Sequence, residues 1–258
     1  METPTWDDPA TASAYESFCR RHSRYRRANA ELVAHADIEP HHQVIDFAAG
    51  TGRTTDAILA MLGQAGRVIC VEPARAMRER GERRLTDARV IWTAEPTDST
   101  ADRILCSAAM WQMPIAATIE VLSARLRRGG ALAFNIPALY LLEPNAPDDG
   151  SDPMLLGMIT HLMKGAPPST AISTSTSRVE DVERALENAG LDAKRWEFRQ
   201  RLTQAAYRDW LAIPVVSKSM LGHLDARERR ERLDAAYAAS DRSSWRWERW
   251  IGWTAWKP

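Results

Sequence analysis

The residues best suited to chemistry stand in the run Val44-Ile45-Asp46-Phe47-Ala48-Ala49-Gly50-Thr51-Gly52-Arg53-Thr54-Thr55, an apolar strand pattern that passes through a small-residue turn into a helix pattern. Small residues let a backbone approach a ligand closely, and the free N–H groups of such a turn and helix start donate to a polar or anionic group. A dinucleotide-binding turn needs a third glycine where this chain has Thr55, and Asp46 would repel a pyrophosphate, so NAD and FAD are disfavoured. A carboxylate at a strand tip instead attracts an ammonium or sulfonium group. The next strand pattern, Arg67 to Val71, ends in Glu72-Pro73. There a carboxylate can accept from both hydroxyls of a ribose, and a flat apolar ring can lie beside a base. Together the two acids describe a site for a positively charged nucleoside.

Such a site needs parallel strands to carry it. Apolar runs alternate with helical patterns: strands over 43–48, 67–71, 90–93, 103–107 and 131–137, and helices over 54–63, 74–85 and 115–126, the last stopped by Gly129-Gly130. That alternation predicts βαβ units. Apolar and aromatic positions at helical spacing over 10–36 predict one or two leading helices. Residues 138–177 turn rich in Pro, Ser and Thr around an amphipathic stretch, which predicts a lid insertion. Beyond it the patterns predict a helix over 179–189, a strand over 196–202, a helical stretch over 204–239 interrupted near Pro214, and a strand over 247–256. In that last strand Trp250 and Trp256 share one face and Trp247 and Trp253 the other, as in a central strand covered on both sides.

Composition narrows the partners. The 258 residues hold 34 Lys and Arg against 34 Asp and Glu, without the positive field that draws proteins onto nucleic acid or anionic membranes. The basic run Arg20 to Arg27 is expected to be a solvated helix face, or to send one Arg to a substrate or cofactor carboxylate. Three cysteines without close spacing suggest neither disulfides nor a metal site, and Cys70 and Cys106 read as buried thiols. An acidic N-terminus and the lack of a long apolar run point to a cytoplasmic protein, expected as monomer or homodimer, with a small-molecule partner and no membrane.

Asp46 to Gly52 together with Glu72 resembles motifs I and II of class I S-adenosylmethionine-dependent methyltransferases. Tyr15-Glu16-Ser17-Phe18 looks like the leading aromatic segment of their small-molecule branch, Thr93-Ala94-Glu95 like its adenine-side loop, and Ser107 to Trp111 like the strand exit of trans-aconitate methyltransferase-like members. The resemblance implies a Rossmann-like α/β fold: a seven-stranded, mostly parallel sheet with helices on both faces, a last strand antiparallel between two others, and an inserted helical lid. The expected organisation is N-terminal helices over 1–40, a cofactor-binding core over 41–137, the lid over 138–177, and a C-terminal part over 178–258 with a helical insertion at 204–240.

By resemblance S-adenosylmethionine would meet Asp46, Ala48, Gly50 and Gly52 at its methionine part, Glu72 and Pro73 at ribose and base, and Ala94 and Glu95 at adenine. Ser107 and Ala108 would form the strand-four wall, and Tyr15 would close over the cofactor. Ala48 replaces the family's first glycine, and Thr93 the acid before the Ala-Glu pair. Candidate catalytic groups are His161, His223 and Tyr140; candidate substrate contacts are Phe18, Trp111, Glu143 and Tyr207. The implied activity is in-line methyl transfer to an O, N or C atom of a small metabolite of secondary metabolism, partly apolar because Met154, Leu155, Leu156, Met158, Ile159, Leu162 and Met163 line the lid. The alternatives are a non-methylating cyclisation or rearrangement on the same fold and a binding module without catalysis.

Overall fold

The computed structural model of the chain describes residues 5–141, 158, 162, 177–243 and 245–258. Seven strands are β1 Gln43–Phe47, β2 Arg67–Val71, β3 Val90–Thr93, β4 Ala101–Ser107, β5 Leu126–Pro137, β6 Asp192–Thr203 and β7 Trp245–Trp256. They form one sheet in the order β3-β2-β1-β4-β5-β7-β6. Neighbours from β3 to β5 are parallel, and β7 runs antiparallel to β5, as the resemblance implies. The described helices are α1 Pro9–Arg21, α2 Arg24–His35, α3 Arg53–Leu59, α4 Arg75–Arg84, α5 Ile115–Ala124, α6 Val179–Asn188, α7 Gln204–Leu211, α8 Pro214–Met220 and α9 Ala226–Ala239. None of them is long and apolar enough to cross a membrane.

The chain divides into two compact units. One, the sheet unit, comprises Tyr25–Glu143, Ser175–Phe198 and Arg249–Pro258. Its strands read as near-continuous apolar runs because both faces of a parallel sheet are covered. Val44, Val68, Ile104, Leu105, Leu132 and Phe134 are buried, and Phe134 stacks on Trp253 at 5.2 Å. Gly252 of β7 has no side chain because a Cβ there would meet the Trp196 indole at 2.3 Å. In this order β1 has β2 on one side and β4 on the other, so the chain reverses direction across the sheet between β1 and β4. In open α/β sheets ligands bind outside the carboxyl ends of the strands at such a switch point.

The other, the helical unit, comprises Met1–Arg24, Pro144–Thr174 and Arg199–Glu248. Asp8 caps α1 through the Ala10 N–H, with Pro9 in the first turn. Phe18, Tyr207, Trp210, Leu211, Met220 and Leu233 are buried in this unit. So are the charged side chains Arg24 and Glu248, whose guanidinium and carboxylate pair, with the Gln200 amide donating to the same carboxylate at 3.1 Å.

Several expectations need correction. The basic run is not one helix face: it breaks between α1 and α2, and Arg24 is buried against the protein's own Glu248. The stretch 204–239 is interrupted twice. Besides the break before Pro214, the chain turns at Leu221 to Leu224, after which Asp225 and Glu228 form a capping box that starts α9. Gly129-Gly130 does not end α5, which stops at Ala124; β5 begins at Leu126 and runs through the glycines, where Gly129 N–H donates to Lys257 O and Lys257 N–H to Gly130 O. Trp247 is 43% exposed, unlike its expected face-mate Trp253, because the first residues of β7 lack a cover on that side. Most of the predicted lid lies outside the described residues, including Met154, Leu155, Leu156, Ile159 and Met163; Met158 and Leu162 are buried.

Candidate functional site

The turn after β1 holds three left-handed residues, Ala48 (φ 56°), Gly50 (φ 58°) and Gly52 (φ 78°). Glycine accepts that conformation freely, whereas in an L-residue the Cβ crowds the following carbonyl at a cost of about 1–2 kcal/mol. Ala48 is therefore a strained site just past the carboxyl end of β1. The turn is held from both flanks. Ala49 N–H donates to Val71 O, and Gly50 N–H donates to Glu72 Oε2 at 2.7 Å, while Ala74 N–H donates to Glu72 Oε1 at 2.9 Å. From α4, the Arg84 guanidinium donates to the carbonyls of Thr51 and Gly52 and binds the Asp56 carboxylate on α3. Gly52 is fixed as glycine by its φ and by Leu85 Cδ1, which a Cβ would meet at 2.5 Å.

Asp46, 1% exposed, lies beneath this turn. Its Oδ2 accepts the Thr55 hydroxyl at 2.6 Å. While Asp46 is ionised that hydroxyl proton goes to its carboxylate, and the Cys70 thiol, 3.1 Å from Thr55 Oγ1, then donates in their contact. Oδ1 is buried with no hydrogen-bond partner. Desolvation pushes the Asp46 pKa up to about 7 against the bonds from Thr55, and the Glu72 charge adds to the rise. Such a carboxyl lacks what a positively charged or N–H-bearing group would supply. Glu72, 7% exposed, brings a second carboxylate to the neighbouring strand tip, where its two oxygens hold the turn.

Across the switch point, Ala108 after β4 is also left-handed, φ 57°. Asn135 of β5, fully buried, holds it there: Oδ1 accepts Ala108 N–H at 2.9 Å and Nδ2 donates to Ala28 O. Ser107 Oγ donates to Asn29 Oδ1 at 2.7 Å. Trp111 Nε1 donates to Ala108 O, and its ring stacks on Tyr140, centroids 3.8 Å apart and planes 4° apart, so an aromatic wall stands at the exits of β4 and β5. Strained residues cluster at ligand sites when surrounding bonds over-determine them, which holds for both alanines.

Asp46, Ala48, Gly50, Gly52, Glu72 and Pro73 thus meet at the carboxyl ends of β1 and β2, with Ser107 ending β4, Ala108 and Trp111 following it, and Tyr140 following β5. Ala94 and Glu95 follow β3 and are exposed, and Thr93 Oγ1 donates to Glu95 O at 2.8 Å. Tyr15, Phe18, Tyr207 and His223 belong to the helical unit. Tyr15 meets Trp6 edge-on, Phe18 is fully buried with its ring on His22, and Tyr207 is buried beside Trp210, with the Arg246 guanidinium over its ring. His223 is exposed in the turn between α8 and α9. Glu143 and His161 lie outside the described residues.

The sequence reading missed Thr55, Arg84, Asn29 and Asn135. Asn135 had a visible signal, a lone amide inside the apolar run Ala131 to Pro137. Among the described residues Glu39, His41 and His42 are close enough to suggest a metal site. Yet Glu39 N–H donates to His42 Nδ1 at 3.0 Å, which leaves the ring proton on Nε2 and no lone pair for an ion.

No family model and no curated protein sequence matches the chain. Solved structures resemble it in fold. A Bacillus halodurans protein assigned as a methyltransferase is 16% identical, with 90% of this chain and 99% of that one covered at a TM-score of 0.60. A Geobacter sulfurreducens SAM-dependent methyltransferase in complex with S-adenosyl-L-homocysteine is 18% identical, with 90% of this chain and 91% of that one covered at 0.53. A Haemonchus contortus phosphoethanolamine N-methyltransferase, in complex with phosphomonomethylethanolamine and S-adenosylhomocysteine, is 12% identical, with 90% of this chain but 52% of that one covered at 0.54. The chain therefore has the Rossmann-like α/β fold that these methyltransferases share.

Proposed function

We propose that this protein is an S-adenosylmethionine-dependent methyltransferase acting on an O, N or C atom of a small molecule. The observation that carries the reading is the buried Asp46 carboxyl with an unpartnered oxygen, on the strand beside Glu72 and under a turn of left-handed residues. When bound, the cofactor supplies an electrophilic methyl group on a sulfonium.

The chain's own residues bind and orient. Asp46 offers an acceptor and negative charge to the amino-acid end, and Glu72 offers acceptors to the ribose hydroxyls. Gly50 and Gly52 keep the backbone low, while Glu72 and Arg84 hold the turn from opposite flanks. The Trp111–Tyr140 stack gives a flat apolar surface at the exits of β4 and β5, suited to orienting an acceptor. Tyr140, 3% exposed, serves in this reading as a wall of the site. Positioning a reactive nucleophile in line supplies most of the rate in such a transfer, so the reading asks for no strong base.

Calorimetry with S-adenosylmethionine and its demethylated product tests this. Saturable binding is expected, with loss of more than a hundredfold in affinity in Asp46→Ala and Glu72→Ala. Absence of heat with either compound overturns the reading. Incubation with methyl-labelled cofactor and host extract then separates methyl transfer from a non-methylating reaction, in which no metabolite gains label.

A further inference from the structure

The methyl-transfer reading gives acids to the cationic groups of the cofactor and nothing to its carboxylate. That anion, one carbon from the ammonium, would be repelled by Asp46 and needs a donor of its own. Asn29 of α2 carries one. The residue is 4% exposed, and its Oδ1 accepts the Ser107 hydroxyl at 2.7 Å. That length is usual for O–H···O and short for an amide N–H, so the oxygen of the amide is the atom turned to Ser107. The same hydroxyl is 3.4 Å from Asn135 Oδ1, which already accepts the Ala108 N–H. Asn29 Nδ2 is left with two N–H groups and no acceptor among the described residues. It is not among the fully enclosed polar atoms, so a ligand can reach it.

The sheet fixes where that nitrogen stands. Asp46 pairs with Leu105 in the parallel register of β1 and β4, so Ser107, two residues on, shares a face with Asp46 and lies one step further toward the carboxyl end. Helix α2 covers this face, where its Ala28, Leu32, Val33 and Ala36 share a core cluster with Val44, Cys70, Leu105 and Ala133. Asn29 is thus held at the end of β4 on the side of the sheet that carries Asp46, and adjacent strands are only about 4.8 Å apart. The ammonium and carboxylate of an α-amino acid share one carbon, so their partners must flank one small group. Two neighbouring strand ends on one face do so. We propose that Asn29 Nδ2 donates to the α-carboxylate of S-adenosylmethionine, as the counterpart of Asp46 at the ammonium. The proposal rests on the methyl-transfer reading and deepens it: an amide after the basic run takes the role expected of an Arg within it, since Arg24 is engaged by Glu248.

Asn29→Asp tests this, because it keeps an oxygen for the Ser107 hydroxyl, removes the donor and sets a negative charge against the carboxylate of the ligand. The full chain is titrated by calorimetry with S-adenosylmethionine and with decarboxylated S-adenosylmethionine, which retains the amine, sulfonium and nucleoside. Asn29→Asp binds S-adenosylmethionine at least tenfold more weakly than wild type, the scale of one hydrogen bond to a charged group, while its affinity for the decarboxylated compound does not fall. Asn29→Ala, which loses both bonds, also loses more affinity for the first ligand than for the second, and that ratio decides if Asn29→Asp fails to fold. A purely structural role for Asn29 would weaken both ligands alike. Equal losses for the two ligands, or unchanged binding of S-adenosylmethionine, overturn the proposal and leave the methyl-transfer reading standing. Absence of binding of either ligand to the wild-type protein overturns both.

Discussion

Two buried acids, one in each unit, are treated in opposite ways. In the helical unit Glu248 receives Arg24 Nε and Nη2 and the Gln200 amide, so its charge is neutralised within the fold. In the sheet unit Asp46 is at least as deeply buried yet meets a hydroxyl, a neighbouring acid at Glu72 and no cation. The first arrangement is complete and reads as architecture. The second is incomplete, and in the proposed reading a ligand at the carboxyl end of this switch-point strand completes it.

The sharpest way to break this contrast is to remove the partner of the completed pair. Arg24→Met leaves Glu248 buried and charged, and should lower the free energy of unfolding by about 3–5 kcal/mol in urea titration. Asp46→Asn removes a charge that nothing offsets and should leave stability near wild type, or raise it, at pH 8. If both variants lose the same amount, the acids are equivalent and the distinction is wrong.

The second test uses pH, and the sign follows from the raised pKa of Asp46. The unfolded chain releases this proton near 3.8 and the folded one near about 7, so between those values the folded state holds the extra proton. Stability without ligand therefore falls as pH rises through that window, and below it the group contributes no difference. Cofactor affinity moves the other way. A cationic ligand needs the carboxylate, so over roughly two pH units below about 7 its affinity should climb by up to about tenfold per unit, then level off. Both slopes should vanish in Asp46→Asn, the first in unfolding curves and the second in calorimetry. A flat affinity profile in the wild-type protein would show that Asp46 is ionised before the ligand arrives.

This contrast was half legible in the sequence. Asp46, the small-residue turn and Glu72 lie within one βαβ unit, and local pattern is enough to place two strand tips side by side in a parallel sheet. The pairing of Arg24 with Glu248 spans most of the chain, and no periodicity announces it; the same residue seen locally is one more Arg in a basic run. The break at Leu221 to Leu224 was hidden because the Arg- and Glu-rich segment after it favours helix, although Gly222 and the Asp225–Glu228 capping box could have been read. Arg84 looked like a charged residue at a helix end, since only the folded chain brings its fork onto the carbonyls of Thr51 and Gly52. Asn135 stood out by type but not by partner.

The smallest predicted effect concerns Ala48, which stands where the resembling family has glycine. An alanine at φ 56° carries strain that glycine lacks, while glycine gives the unfolded chain more freedom to lose. The strain, about 1–2 kcal/mol, exceeds the added entropy, about 0.5–1 kcal/mol. Ala48→Gly should therefore stabilise the protein by roughly 0.5–1 kcal/mol in denaturant titration. Ala108, at φ 57°, provides the control. Its N–H is clamped by Asn135, a bond that backbone substitution leaves in place, so Ala108→Gly should gain a similar amount. If Ala48→Gly gains nothing while Ala108→Gly does, the bonds from Val71 and Glu72 impose the turn at no cost, and the strain belongs to the β4 side of the switch point alone.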